Sequence, residues 1–150
     1  MSRFEEAPEN VNDFLRKIIQ KDFEYLSSAN IKVLFDTKKR KRGDSFIFGR
    51  LKKANEMEKF LSSTNFTPDG YDYFMYLDKG VYNSLEEKDR ERLIRHELCH
   101  CDVDFETKDP YKTRDHEITD FYSEIEFNRD DPRWMERVSG IAEALYSRED

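Results

Sequence analysis

The sequence predicts an α+β chain: a small antiparallel sheet packed against an N-terminal helix, a central helix and two C-terminal helices. Three observations predict it. Apolar residues recur at helical spacing over residues 10–26. Short runs of strand character stand at residues 31–35, 45–51 and 71–78. Residues 85–101 carry a helical pattern with neither Gly nor Pro. At 150 residues the chain is expected to form one domain over 1–150.

Residues 1–9 are acidic and expected to fray. Val11, Phe14, Leu15, Ile18 and Ile19 give the first helix its apolar face, extended by Phe23 and Leu26, and Ser27-Ser28-Ala29-Asn30 breaks it. Ile31 to Phe35 alternates as a half-buried strand. Lys38, Lys39, Arg40, Lys41 and Arg42, followed by Gly43, put five cations between two strand-like runs. Such a stretch reads as a solvated hairpin tip, with a contact to phosphate or to an acidic partner as the functional alternative. Ser45 to Leu51 is the returning strand, residues 56–61 are a short helix, and residues 65–70 are a turn. In the next strand Tyr71, Tyr73, Met75 and Leu77 point one way, and Asp72, Phe74, Tyr76 and Asp78 the other.

Ser84-Leu85-Glu86-Glu87 reads as a capping box opening the central helix. Leu93, Ile94, Leu98 and Cys101 can then pack inward while His96 and His100 face a cleft. The helix carries Arg95-His96-Glu97-Leu98-Cys99-His100. Two histidines four residues apart rise about 6 Å along a helix and share a face, so both imidazoles can reach one metal ion. Glu97, beside the first of them, can take a proton from a water on that metal. Two inert core histidines are the structural alternative.

His116 is the remaining histidine, sixteen residues past His100. A catalytic zinc takes three protein ligands and leaves one position open, so His96, His100 and His116 are explained by one Zn2+ site. Glu117 and Glu124 compete with His116 for the third position, as in the carboxylate-completed sites of this type. No oxyanion partner is readable; Tyr111, Arg114 and Tyr122 are the nearby candidates, each with a structural role as the alternative.

His-Glu-Leu-Cys-His, followed by Asp115-His116-Glu117-Ile118-Thr119-Asp120-Phe121, resembles the family of phage-encoded metallopeptidases over about residues 10–130. More distantly the layout is similar to SprT and ImmA-type intracellular metallopeptidases. The resemblance implies a zincin-like fold, zinc on His96, His100 and His116, and Glu97 as catalytic base. It also implies that the strand ahead of the motif helix, residues 71–78, is an edge taking an extended protein or peptide substrate by strand addition, with a purely structural edge strand as the alternative.

The net charge of −7 argues against a general nucleic-acid binder while leaving room for a local basic patch at Lys38 to Arg42. No run of about 18 apolar residues or signal peptide is readable, so a cytoplasmic location is expected, the bacterial host cytosol if the chain is phage-encoded. Cys99 and Cys101 are expected on opposite sides of the helix as buried, reduced thiols. After an acidic loop of Asp102, Asp104 and Glu106, a helix from Asp115 is expected to bury Ile118, Phe121, Tyr122 and Ile125. Pro132 starts the last helix, whose stripe is Trp134, Val138, Ile141 and Leu145. The reaction so read is peptide-bond hydrolysis. Its rivals are a zinc-containing binding or anti-host protein without catalysis, and a metal-dependent hydrolase of nucleic acid gripped by the Lys38 to Arg42 loop.

Overall fold

A computed structural model of the chain describes residues 2–43, 45–115 and 122–147. In chain order the elements begin β1 (Phe4–Glu6), α1 (Glu9–Asp22), β2 (Ile31–Asp36), β3 (Lys41–Arg42), β4 (Ser45–Phe46), β5 (Gly49–Lys53), α2 (Glu56–Leu61) and β6 (Tyr73–Asp78). They continue α3 (Lys79–Ser84), α4 (Glu87–Leu98), β7 (Cys101–Val103), β8 (Tyr111–Thr113), α5 (Tyr122–Phe127) and α6 (Trp134–Tyr146). The expected α+β class holds.

The main sheet has the order β1-β2-β6-β5. Its two outer pairings are antiparallel, but β2 and β6 run parallel, Ile31 opposite Tyr73 and Asp36 opposite Asp78, so the sheet is mixed rather than wholly antiparallel. Burial accounts for the order. Tyr73, Met75 and Leu77 are completely buried, so β6 belongs where it has a strand on both sides, while the lysine-bearing β5 suits an edge. Hence β2 and β5 are separated by β6, and the basic stretch between them folds on itself as a small hairpin, β3 against β4.

Residues 4–6 are ordered rather than frayed. They form the other edge strand, fixed by the Arg3 guanidinium on Asp36 at 2.8 Å, the Thr37 amide on the Arg3 carbonyl and the Phe4 ring 5.5 Å from that of Tyr76. Helix α1 buries Val11, Leu15, Ile18 and Ile19, with Phe14 partly covered, as its periodicity required.

Between β6 and α4 lies a short helix not legible in the sequence. Asp78 caps α3 by accepting the Val81 amide at 2.9 Å, and Tyr146 of α6 donates its hydroxyl to the same carboxylate at 2.6 Å. Burial raises the Asp78 pKa. Ser84 therefore ends a helix instead of starting one: its hydroxyl donates to the Gly80 carbonyl, and α4 is capped by Glu86 without a side-chain bond. The expected capping box is absent because the chain turns at Leu85 between two helices.

Helix α4 sends Leu93, Ile94 and Leu98 into the core, where α6 contributes Trp134, Val138, Ala142 and Tyr146. Its opposite side is charged. Arg92 donates to Asp89 at 2.8 Å and to Asp130 at 2.6 Å, and Arg137 reaches Asp89 from α6. Buried ions survive because they are paired. This network overturns the expected face of α5: Ile125 is exposed, while Glu124 and Asn128, one turn apart, are buried against Arg95 and Arg92. Ile118 and Phe121 lie outside the described residues. The acidic loop is a hairpin, β7 against β8. The helix ends at Leu98, so Cys101 opens β7 rather than lying on the helix; both thiols are buried and free. Among the described residues no helix is long and apolar enough to cross a membrane.

Candidate metal centre

Core packing of Leu93, Ile94 and Leu98 fixes the rotation of α4, and that rotation points His96 and Glu97 toward the β5 side. Ligand-capable atoms of His96, Glu97 and His100 all lie within 4.8 Å of one another. The two imidazoles meet edge to face with centroids 5.6 Å apart, and His96 stands 6.4 Å from the buried Trp134 ring.

His100 sits just beyond the last turn of α4, and residue 114 holds it. The His100 Nδ1 is 2.8 Å from the Arg114 carbonyl oxygen. A carbonyl only accepts, so Nδ1 carries the hydrogen and Nε2 keeps its lone pair for a metal. The Arg114 amide donates to the His100 carbonyl at 2.7 Å, and its Nε donates to the Cys99 carbonyl at 2.8 Å. These bonds satisfy carbonyls left open at the helix end and stitch β8 to it. Burial holds the His100 pKa below its ordinary value, which keeps the ring neutral as a ligand must be.

Glu97 is buried, and burial pushes its pKa up to about 7. The backbone of Gly49 lies against it: a Cβ on Gly49 would stand 3.0 Å from Glu97 Oε1 and 3.0 Å from Leu93 Cδ1. Above this group runs a cleft of about 560 Å³ between β5 on one side and Thr113 to Asp115 on the other. That is room for side chains of a peptide, not merely for an ion.

The strand read as the substrate edge is interior. Residues 73–78 are paired on both sides, which leaves no free backbone for another strand. Among the described residues β5 is the outer strand of the sheet beside the cleft, with no strand paired to its far side. Phe48 accepts the Asp78 amide and the Ala54 amide donates to Asp72, so even-numbered residues of this run bond inward. By alternation the N–H and C=O groups of Gly49, Leu51 and Lys53 face outward.

His116 and Glu117 lie outside the described residues, as does the Tyr122 side chain. Glu124 is committed elsewhere: its two oxygens accept from Arg95 Nε and Nη2, each at 3.0 Å, and the Arg95 guanidinium lies 3.8 Å over the Phe127 ring. Of the oxyanion candidates, Tyr111 has its hydroxyl 2.8 Å from Ser28 Oγ, and Arg114 directs Nε to Cys99. Two residues that shape the site were not singled out from the sequence. Gly49 gave a signal, a lone glycine within a strand, which marks close backbone approach. The Arg114 carbonyl gave none, because any residue has one.

Two imidazoles and a carboxylate, brought together by α4 and the turn that ends it, form a group able to hold a metal ion beside the edge of the sheet. Residues 2–146 match the family described as "Putative phage metallopeptidase", and the chain belongs to that family. No curated protein and no solved structure matches it significantly.

Proposed function

We propose that the protein is a zinc-dependent peptidase acting on an intracellular protein or peptide, with His96 and His100 as ligands and Glu97 as general base. The observation that carries this reading is the His96, Glu97, His100 cluster, whose ligand atoms lie within 4.8 Å of one another at the floor of a cleft. The donor set fits zinc: two imidazoles, one with its remaining nitrogen already hydrogen-bonded to a backbone carbonyl, suit a borderline ion. His116 is the proposed third ligand, with Glu117 as its alternative, since both Glu124 oxygens already accept from Arg95.

When bound, zinc supplies Lewis acidity, lowering the pKa of water to about 7 and polarising a carbonyl. The chain's own part is proton transfer and positioning. Glu97 takes the proton of the attacking water and returns it to the departing amine nitrogen. Its basicity is suited to both steps, since burial sets its pKa at about 7 before metal binds. The substrate lies extended along β5, using the outward backbone groups of Gly49 and Leu51, which brings a scissile bond over Glu97.

The test compares wild type with Glu97→Gln, both zinc-loaded, incubated with bacterial lysate and read as new protein termini. Wild type is expected to generate termini, while Glu97→Gln retains zinc and loses about 10² to 10⁴ in rate. Loss of zinc from Glu97→Gln, or undiminished cleavage by it, refutes the assigned role.

A further inference from the structure

The charge of this chain is unevenly distributed. Residues 38–53 hold eight Lys and Arg against one carboxylate, a local +7, so the remainder carries −14 to give −7 overall. The same sixteen residues supply the β3–β4 hairpin and the outer strand β5, which together form one wall of the cleft above Glu97. The hairpin is fixed over the cleft rather than waving in solvent: Phe46 stacks on Tyr146 of α6 at 5.5 Å, and Lys41 lies 4.8 Å above the Phe46 ring.

Several of these cations are engaged within the protein. Arg40 faces Asp36 at 3.5 Å, Lys52 binds Glu58 at 2.7 Å, and Lys53 binds Asp109. Arg42 and Arg50 differ. Both are exposed and both border the cleft, Arg42 from the hairpin and Arg50 from the face of β5 that carries Tyr76, where it can meet a side chain of a strand added along that edge. Neither has a carboxylate partner among the described residues. An exposed guanidinium at the mouth of a peptide cleft is a fork shaped for a carboxylate.

We infer that the cleft selects acidic peptides, Arg42 and Arg50 receiving Asp or Glu side chains of a segment laid along β5; this rests on the peptidase reading above. Apolar surface beside them, from Phe48, Trp134 and Met135, suits a neighbouring hydrophobic residue. Nucleic acid is the poorer match. Tight binding to a polyanion needs a track of many phosphate contacts, and here two arginines without a carboxylate partner among the described residues border a body of strongly negative charge.

The probes are three fluorescein-labelled nine-residue peptides identical except for Asp, Ala or Lys at alternate positions, and a twelve-nucleotide oligo-dT. Anisotropy is measured with zinc-loaded Glu97→Gln protein, alone and combined with Arg42→Ala/Arg50→Ala. The Asp peptide should bind about tenfold or more tighter than the Lys peptide. That preference should weaken with added salt and collapse in the double-arginine variant, whose zinc content and circular dichroism stay unchanged. Equal affinity for the three peptides, no peptide binding, or a preference that survives loss of both arginines overturns the inference. So does oligo-dT binding as tightly as the Asp peptide through the same arginines. The zinc-loaded wild type is then mixed with the Asp peptide: binding without cleavage leaves acidic recognition standing while removing the peptidase reading.

Discussion

Gly49 and Glu97 touch across the floor of the cleft, so closely that a methyl group on Gly49 would stand 3.0 Å from Glu97 Oε1. That spacing is at the tight limit of real carbon contacts, and the neighbouring Leu93 methyl blocks retreat at the same distance. Gly49→Ala is therefore expected to shift the Glu97 carboxylate while leaving the histidines alone. Zinc content should stay at wild-type level and kcat should fall by about 10- to 100-fold. Unchanged kcat would mean that the carboxylate position is not critical.

The burial of Glu97 also makes the metal-free protein sensitive to pH. Its folded pKa is about 7 against an ordinary 4.5, so the fold favours the protonated acid. The stability this group contributes is fully present below about pH 4.5 and is lost as pH rises through about 7. The loss amounts to roughly 3 kcal/mol at alkaline pH. Glu97→Gln cannot ionise. In chelator, urea unfolding should show the variant gaining on wild type from pH 4 to pH 8, and a pH-independent difference would contradict the buried-acid account.

Arg95 and Glu124 separate the third-ligand candidates. Removing Glu124 leaves the Arg95 guanidinium, 6 % exposed, with Asp22 as its remaining ion partner among the described residues. Breaking such a buried pair costs about 3–5 kcal/mol. Glu124→Ala should therefore lower the denaturation midpoint yet bind one zinc per folded chain. His116→Ala should do the reverse, keeping its zinc-free stability and losing zinc affinity, with Glu117→Ala close to wild type in both. Loss of zinc from Glu124→Ala with His116→Ala unaffected would assign the ligand to the carboxylate.

His100 is oriented by residue 114, whose backbone makes two of the bonds and whose side chain makes one. Arg114→Ala removes the Nε bond to Cys99 but keeps the carbonyl that receives His100 Nδ1. Zinc affinity should drop by about tenfold, toward the lower end for outer partners of metal histidines. A chelator competition series measures it. A change beyond about a hundredfold would show that the side chain holds the whole β8 connection in place.

The local parts of this protein were readable from its residues. Val11, Leu15, Ile18 and Ile19 repeat at the spacing that buries one helix face, and Tyr73, Met75 and Leu77 alternate as a strand must; both patterns appear in the structure. The His96, Glu97, His100 grouping was legible from its four-residue spacing, although α4 ends at Leu98 and His100 lies in the turn beyond, held by residue 114. The α3 helix was missed because Asp78 and Tyr146, which stabilise its start, are 68 residues apart.

What the sequence determined by itself was therefore the type of most elements and the grouping of His96, Glu97 and His100, because both depend on spacings within one segment. Tertiary structure alone decided that β6 is interior and β5 the outer strand, since strand order depends on which face and edge the whole core can bury. It alone set Gly49 against Glu97, gave the Arg114 carbonyl to His100, and turned Glu124 to Arg95. It also brought Arg42 and Arg50 to one cleft. Each of these joins residues from different elements, and only packing fixes their separation.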